Sequence, residues 1–295
     1  MIDKQTIRAA FDQAASSYDA AAVLQREVVD RMLEKLSIMK LAPQHVLDVG
    51  CGTGYAGPLL LQRFPDARLI ELDLAPSMLL QARLRHPTGS RHWIARLKGK
   101  KLPWQICGDA EALPLASASV DCIWSNLALQ WCETPDQAFA ECFRVLRPGG
   151  LFLFSTLGPN TLNELRTAFA GVDGQAHVNR FIDMHDLGDA LGRAGFAAPV
   201  MEMENLVMTY DTVREVLADL KGIGAHSVRD GRRTGLMGKS AWREMEAGYE
   251  KFRNKGLLPA TYEVLYGHAW KSDSDSRKSL PDGRQIIEFK VMPKQ

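Results

Sequence analysis

Residues Val46–Gly57 read VLDVGCGTGYAG, and the fold turns on them. Val46, Leu47 and Val49 make a short apolar run of strand type, the glycines stop it, and a helical pattern follows. Gly52, Gly54 and Gly57 spell G-x-G-x-x-G, the fingerprint of a dinucleotide-binding turn. A strand that ends in glycines and enters a helix leaves backbone N–H groups free at the helix N-terminus. That setting suits an anionic ligand group, a carboxylate as well as a phosphate. A plain structural turn uses the same residues, so the neighbours have to discriminate.

The neighbours argue against a nicotinamide dinucleotide. Asp48 lies inside the strand, two residues before Gly50, where such a site favours an apolar side chain. Gly50, Gly52 and Gly54 form the alternative pattern G-x-G-x-G, and Pro58 is expected to disfavour a helix packed tightly on Gly57. Further on come ELDLAPSML (Glu71–Leu79) and CGDAEALPL (Cys107–Leu115). Asp73, followed by Leu74, closes a second strand, where a carboxylate can take both hydroxyls of a ribose. Asp109 follows a third, placed to accept from an adenine amino group while the Ala110 N–H faces a ring nitrogen. As bare residues, both aspartates also read as helix caps.

Strand-like and helix-like segments alternate through the first half, the pattern of a parallel sheet covered by helices. Strands are expected at Val46–Gly50, Arg68–Leu72, Gln105–Cys107, Val120–Ser125 and Leu151–Ser155. Helices are expected at Pro76–Arg85 and Pro135–Leu146, the latter ended by Arg147-Pro148-Gly149-Gly150. Leu24, Val28, Met32 and Leu36 recur every four residues and mark an amphipathic helix before the first strand. Asn160–Gly195 reads as helical, an insertion over the sheet. Met201–Tyr210 and Thr261–Trp270 read as strands, with helices and a basic turn at Arg229–Arg233 between them, and Gln285–Met292 as a short last strand.

In 295 residues, 36 Lys and Arg nearly balance 35 Asp and Glu, which argues against a general nucleic-acid binder. No apolar run is long enough to span a membrane, and the N-terminus lacks the apolar stretch of a signal peptide. Five cysteines without a C-x-x-C point to neither a disulfide framework nor a zinc site, and fit a reducing cytoplasm.

VLDVGCGTG with Asp73, GDAEALPL, WSNLALQW (Trp124–Trp131) and RVLRPGG (Arg144–Gly150), in that order, resemble the class I S-adenosylmethionine methyltransferases. The likeness sharpens in FDQAASSYDAAAVLQREVVDRML (Phe11–Leu33), HVNRFIDMHDLGDAL (His177–Leu191), DLKGIGAH (Asp219–His226) and LPATYEVLYGHAW (Leu258–Trp270). From Phe11 to Trp270 the chain is similar to the malonyl-[acyl-carrier protein] O-methyltransferase family, which opens the biotin pathway.

The resemblance implies a Rossmann-like α/β fold: a seven-stranded, mostly parallel sheet with helices on both faces and a helical substrate cap. One methyltransferase domain would span residues 1–295, with a lid helix at about 8–38, a cofactor core at about 44–156, a cap at about 160–198 and C-terminal elements at about 200–292. The donor would be S-adenosyl-L-methionine, leaving as S-adenosyl-L-homocysteine, with no metal. Asp48, Gly50, Gly52 and Gly54 would meet its methionyl end, Asp73 and Leu74 its ribose, Asp109 and Ala110 its adenine, and Asn126 its reacting end. The partner would be an acyl carrier protein bearing a malonyl thioester, with neither nucleic acid nor membrane involved, and the oligomeric state is left open.

Tyr18, Asn126, Gln130 and Arg180 are the substrate-binding candidates. Tyr18 reads either as a lid over the donor or as ordinary packing. Arg180, in the cap, is the preferred anion partner, whereas Arg144 reads as fold or surface electrostatics. His177 and His185 read as capping or surface histidines, because methylating an ionised carboxylate asks for no general base. The unusual segment is Gly89–Trp104: from Arg83 to Lys101 there are seven Lys or Arg and no Asp or Glu, a solvated loop or a carrier-docking surface. Two rivals share the fold: a respiratory complex I assembly factor associated with arginine hydroxylation, and an adaptor without catalysis.

Overall fold

Each apolar run of the first half becomes a strand with a helix beside it in the computed structural model, which describes residues 3–86, 101–172, 177–224 and 238–272. The N-terminal segment forms Lys4–Ala14 (α1), Tyr18–Ala21 (α2) and Val23–Ser37 (α3). Then follow His45–Val49 (β1), Ala56–Arg63 (α4), Arg68–Asp73 (β2), Pro76–Leu84 (α5), Trp104–Cys107 (β3) and Val120–Asn126 (β4). Pro135–Val145 (α6) leads into Leu146–Leu157 (β5), and Asn163–Ala170 (α7) and Met184–Ala194 (α8) lie beyond it. Ala197–Tyr210 (β6), Val213–Gly222 (α9), Lys239–Glu250 (α10) and Leu258–Trp270 (β7) complete the described chain.

The strands form one sheet in the order β3-β2-β1-β4-β5-β7-β6. The pairs from β3 to β5 are parallel, and β7 enters antiparallel to both β5 and β6. β1 and β4 are neighbours although four described elements separate them in sequence, so the strand order reverses there. Such a switch point opens a crevice at the strand C-termini. One apolar layer joins α3, α4, α7 and α10 to the sheet, and a second sets α6 and α8 on the other face.

Three expectations change. The lid is not one helix over 8–38: the chain turns at Ser17, whose Oγ donates to the Ala14 carbonyl at 3.2 Å, and again at Ala22, with ψ +44°. Those turns set Tyr18 and Asp19 against the glycine loop. β5 begins at Leu146, earlier than expected, because Leu146 pairs with Val120 before a register shift carries the chain through Pro148 and Gly149. Pro58 sits in the first turn of α4, where no N–H is required. Gly57 does pack closely there, since a Cβ on it would lie 2.4 Å from Glu71 Oε1. The strand expected at Gln285–Met292, the turn at Arg229–Arg233 and most of the basic stretch, residues 87–100, lie outside the described residues.

Candidate active site

The glycine loop hangs from β2: the Gly50 and Cys51 N–H groups both donate to the Leu72 carbonyl, at 2.8 and 3.0 Å. Gly50, Gly52 and Gly54 all take positive φ, at +71°, +54° and +75°, which glycine adopts without steric cost. A Cβ on Gly54 would lie 2.7 Å from the Ala82 Cβ, and one on Gly52 would meet nothing within 4 Å. The first therefore lets α5 approach, and the second leaves space for a ligand.

Two connected chambers open at the strand ends. The smaller is lined by Asp48, Gly50, Gly52, Thr53 and the lid residues Tyr18 and Gln25. Asp48 is buried, and its Oδ2 and Gln25 Oε1 have no hydrogen-bond partner among the described residues. Burial, with Glu71 and Asp73 nearby, pushes the Asp48 carboxyl well above the usual carboxylate range. A buried carboxylate and an amide oxygen that line one chamber, both unpaired among the described residues, can together receive a cation such as an ammonium group. Glu71 beneath it is already engaged, by His86 Nε2 at 2.8 Å and Gln105 Nε2 at 3.0 Å.

The larger cleft encloses about 1360 Å³, its solvent-open mouth included. At one end stand Asp73, Leu74, Asp109 and Ala110. Asp73 Oδ2 accepts from the Gly52 N–H at 2.9 Å and Oδ1 from the Ala75 N–H at 2.8 Å. Burial pushes this carboxyl up to about 6, the two N–H donors opposing the shift. Each oxygen keeps a lone pair for a hydroxyl. Asp109 Oδ1 accepts from the Glu111 N–H at 2.9 Å, while Lys4 Nζ lies between the Asp109 and Glu111 carboxylates. An ammonium group, two hydroxyls and an amino group can thus each meet a carboxylate in line, which fits S-adenosylmethionine.

The other end has apolar walls from Leu157, Leu162, Leu165, Val178 and Phe181, with Leu220 and Ile223 from the α9 end and Tyr262 from β7. Polar groups there are few: Thr161, His177 and Asn179. Thr161 is engaged with Glu263, accepting from its N–H at 3.1 Å, and the His177 ring stacks on Phe169 at 3.7 Å. Tyr18, Gln25, Gly50, Gly52 and Asn126 line both chambers, so they mark the junction between the two. Burial, with Asp73 and Asp19 nearby, raises the Tyr18 hydroxyl above its usual value and keeps it protonated.

The N-terminal segment closes over the donor end at three polar points. Lys4 meets Asp109 and Glu111, Asp12 accepts from the Ser77 N–H at 2.8 Å, and Asp19 accepts from Thr53 Oγ1 at 2.6 Å and pairs with Arg85. Phe11 adds an edge-on contact with Trp131 at 5.3 Å.

Of the residues expected from sequence, Asp73, Leu74, Asp109, Ala110, Asn126, Gln130 and Tyr18 line the larger cleft, and Asp48 lines the smaller chamber. Gly50 and Gly52 line both, whereas Gly54 supports the loop from behind. Asn126 is held by Ser155 Oγ, which donates to its Oδ1 at 2.9 Å; Gln130 Nε2 donates to the Leu127 carbonyl at 2.6 Å. Arg180 is not brought to the cleft: it is exposed, while Asn179 and Phe181 on either side of it line the wall. Arg144 ties α6 to the preceding loop through Glu141 and the Leu113 and Leu115 carbonyls. His185 is exposed in the first turn of α8. Sequence reasoning missed Lys4, Gln25, Asn179 and Tyr262, whose types carry no spacing signal. Among the described residues no cluster of His, Cys, Asp or Glu could hold a metal ion, and no helix is long and apolar enough to cross a membrane.

A seven-stranded sheet with an antiparallel last pair, and a carboxylate at the end of each of three adjacent strands, define a class I S-adenosylmethionine-dependent methyltransferase. A family model described as a methyltransferase domain matches residues 47–154. The chain resembles in fold the YcgJ protein of Bacillus subtilis, with TM-score 0.56 and 17% identity over 84% of this chain and 100% of that one. It is 57% identical to the malonyl-[acyl-carrier protein] O-methyltransferase of Laribacter hongkongensis, over 97% of this chain and 96% of that protein. With the enzyme of that name from Gallionella capsiferriformans it shares 55% identity over 99% and 98%. The chain belongs to the malonyl-[acyl-carrier protein] O-methyltransferase family.

Proposed function

We propose that the chain transfers a methyl group from S-adenosylmethionine to the free carboxylate of a malonyl thioester carried on acyl carrier protein. The observation that carries this reading is kinship along the whole chain, cap and lid included, with enzymes of that name. The cleft supports it, with a polar donor end joined to a mainly apolar acceptor end.

When bound, the donor supplies an electrophilic methyl group on a positively charged sulfur. Asp48, Gly50 and Gly52 would hold its methionyl end, Asp73 its ribose and Asp109 its adenine. A malonyl carboxylate is ionised near neutral pH, so no residue has to remove a proton. Methyl transfer to a carboxylate oxygen would therefore ask no residue of the chain for a covalent bond or a proton. Two opposite charges vanish together. Tight gripping of either charge would stabilise the ground state more than the transition state, so the chain's task is alignment and exclusion of water. The lid and the apolar walls serve that task. The five cysteines and the absence of a membrane-crossing helix among the described residues support action in a reducing cytoplasm.

The test is incubation with malonyl-acyl carrier protein and methyl-labelled donor. A base-labile methyl ester on the malonyl group is the expected product. Label on a protein arginine, or none on the thioester, would overturn the reading.

A further inference from the structure

The cap loop His177–Phe181 presents its residues to opposite sides: Arg180 points away, exposed, and Asn179 and Phe181 face the cleft. Asn179 Oδ1 is buried and has no hydrogen-bond partner among the described residues. Leu157, Leu162, Leu165 and Phe181 line the same cleft. A buried amide oxygen without a partner is costly unless a ligand completes it. An amide's oxygen and nitrogen exchange places by a half-turn of the side chain, so Asn179 can equally present two N–H donors.

The charges around the cleft narrow what it takes. Among the described lining residues Lys4 is the only Lys or Arg, and its ammonium lies between Asp109 and Glu111 at the donor end. A carboxylate at the acceptor end therefore meets neutral donors. That suits the chemistry, because a neutral amide bonds the carboxylate and the resulting ester alike, without a stranded cation when the negative charge disappears. We infer that Asn179 is the acceptor-binding residue, its amide N–H donors receiving the malonyl carboxylate and selecting an acyl thioester with a short carboxylate end. This assignment rests on the proposed function.

The experiment compares Asn179→Ala and Asn179→Asp in the full chain, with malonyl-acyl carrier protein as acceptor and calorimetric donor affinity as the control of fold. Alanine should lower kcat/KM by about tenfold to hundredfold, mostly through KM, the size of a hydrogen bond to a charged group. Aspartate should do worse than alanine near neutral pH, because it sets a like charge on the substrate, and should recover partly as pH falls. Donor affinity should stay within about twofold, the difference a contact confined to the acceptor makes. Aspartate as active as alanine or better, or both variants equal to the parent, would overturn the assignment. A parent chain that methylates malonyl carrier protein while both variants match it defeats this inference alone. A parent chain that makes no malonyl ester defeats the proposed function and the inference with it.

Discussion

At the donor end of the cleft Asp48, Asp73 and Asp109 stand on or just beyond three adjacent strands; Asp73 and Asp109 each accept from a backbone N–H two residues on, Asp73 also from the Gly52 N–H, while Asp48 Oδ2 has no partner among the described residues. At the acceptor end the walls come from the end of β5, the start of α7, the cap loop, the end of α9 and β7. On the proposed reading the donor end would recognise one invariant molecule through carboxylates and glycine geometry. The acceptor end mainly excludes water, with few polar groups to orient what enters. Polar groups are thus concentrated at the donor end, and the acceptor end is a mainly apolar wall with one amide oxygen, Asn179 Oδ1, unpaired among the described residues.

The sharpest way to break this division is at the loop itself. Gly54→Ala adds a Cβ 2.9 Å from the Ala82 Cα at φ +75°, so α5 has to shift. We expect a stability loss of about 2–4 kcal/mol from overpacking and a left-handed alanine, and no measurable donor binding. Thermal unfolding and calorimetry read both, and a stable variant that still binds donor would show the loop to be far less rigid than its contacts.

Asp73→Ala should act on one end only, weakening the donor by about 1.5–3 kcal/mol with the acceptor KM unchanged at saturating donor. The same carboxyl gives a pH signature. Its folded value of about 6 lies above the unfolded value of about 3.9, so the native state holds the extra proton between them. This group's contribution to stability therefore falls as pH rises through that window. Hydroxyl recognition needs the ionised form, so donor affinity should drop as pH falls below about 6, and Asp73→Asn should flatten that drop. Equal pH profiles in parent and variant would remove Asp73 from donor recognition.

The smallest effect is expected at the fastening of the lid. Lys4→Ala removes a pair that is about a third exposed at Lys4 and Asp109, with Glu111 buried. Donor affinity should fall by no more than about 1 kcal/mol, and by less as salt rises. A larger, salt-insensitive loss would mean that Lys4 belongs to the recognition of the donor and not to the lid.

The donor half was readable because its groups recur at the same local place, the C-terminal end of a strand followed by a turn. Asp48, Asp73 and Asp109 each carry that signature in the linear sequence. The acceptor half has no such regularity. Charge favours Arg180 over Arg144 as the anion partner and passes over Asn179, yet in an irregular loop the side that faces inward is set by tertiary packing and not by a period. Lys4, near the N-terminus, reaches a carboxylate more than a hundred positions away, and an isolated lysine announces nothing of its partner. Pro58 misled for a related reason: its effect depends on which turn of α4 it occupies, and one residue of displacement changes a breaker into a tolerated start.

The edge of Phe11 against Trp131 makes the closed lid visible in light. An indole shielded by a neighbouring ring emits at shorter wavelength than one facing water, and Trp131 lies in the wall that the lid covers. Lifting α1 would uncover it, whereas Trp124, wholly buried in the sheet, would keep its surroundings. With the other four tryptophans of the chain replaced by phenylalanine, Trp131 would serve as indicator and Trp124 as internal standard, so intrinsic emission would report any lifting of α1 without a label attached to either substrate.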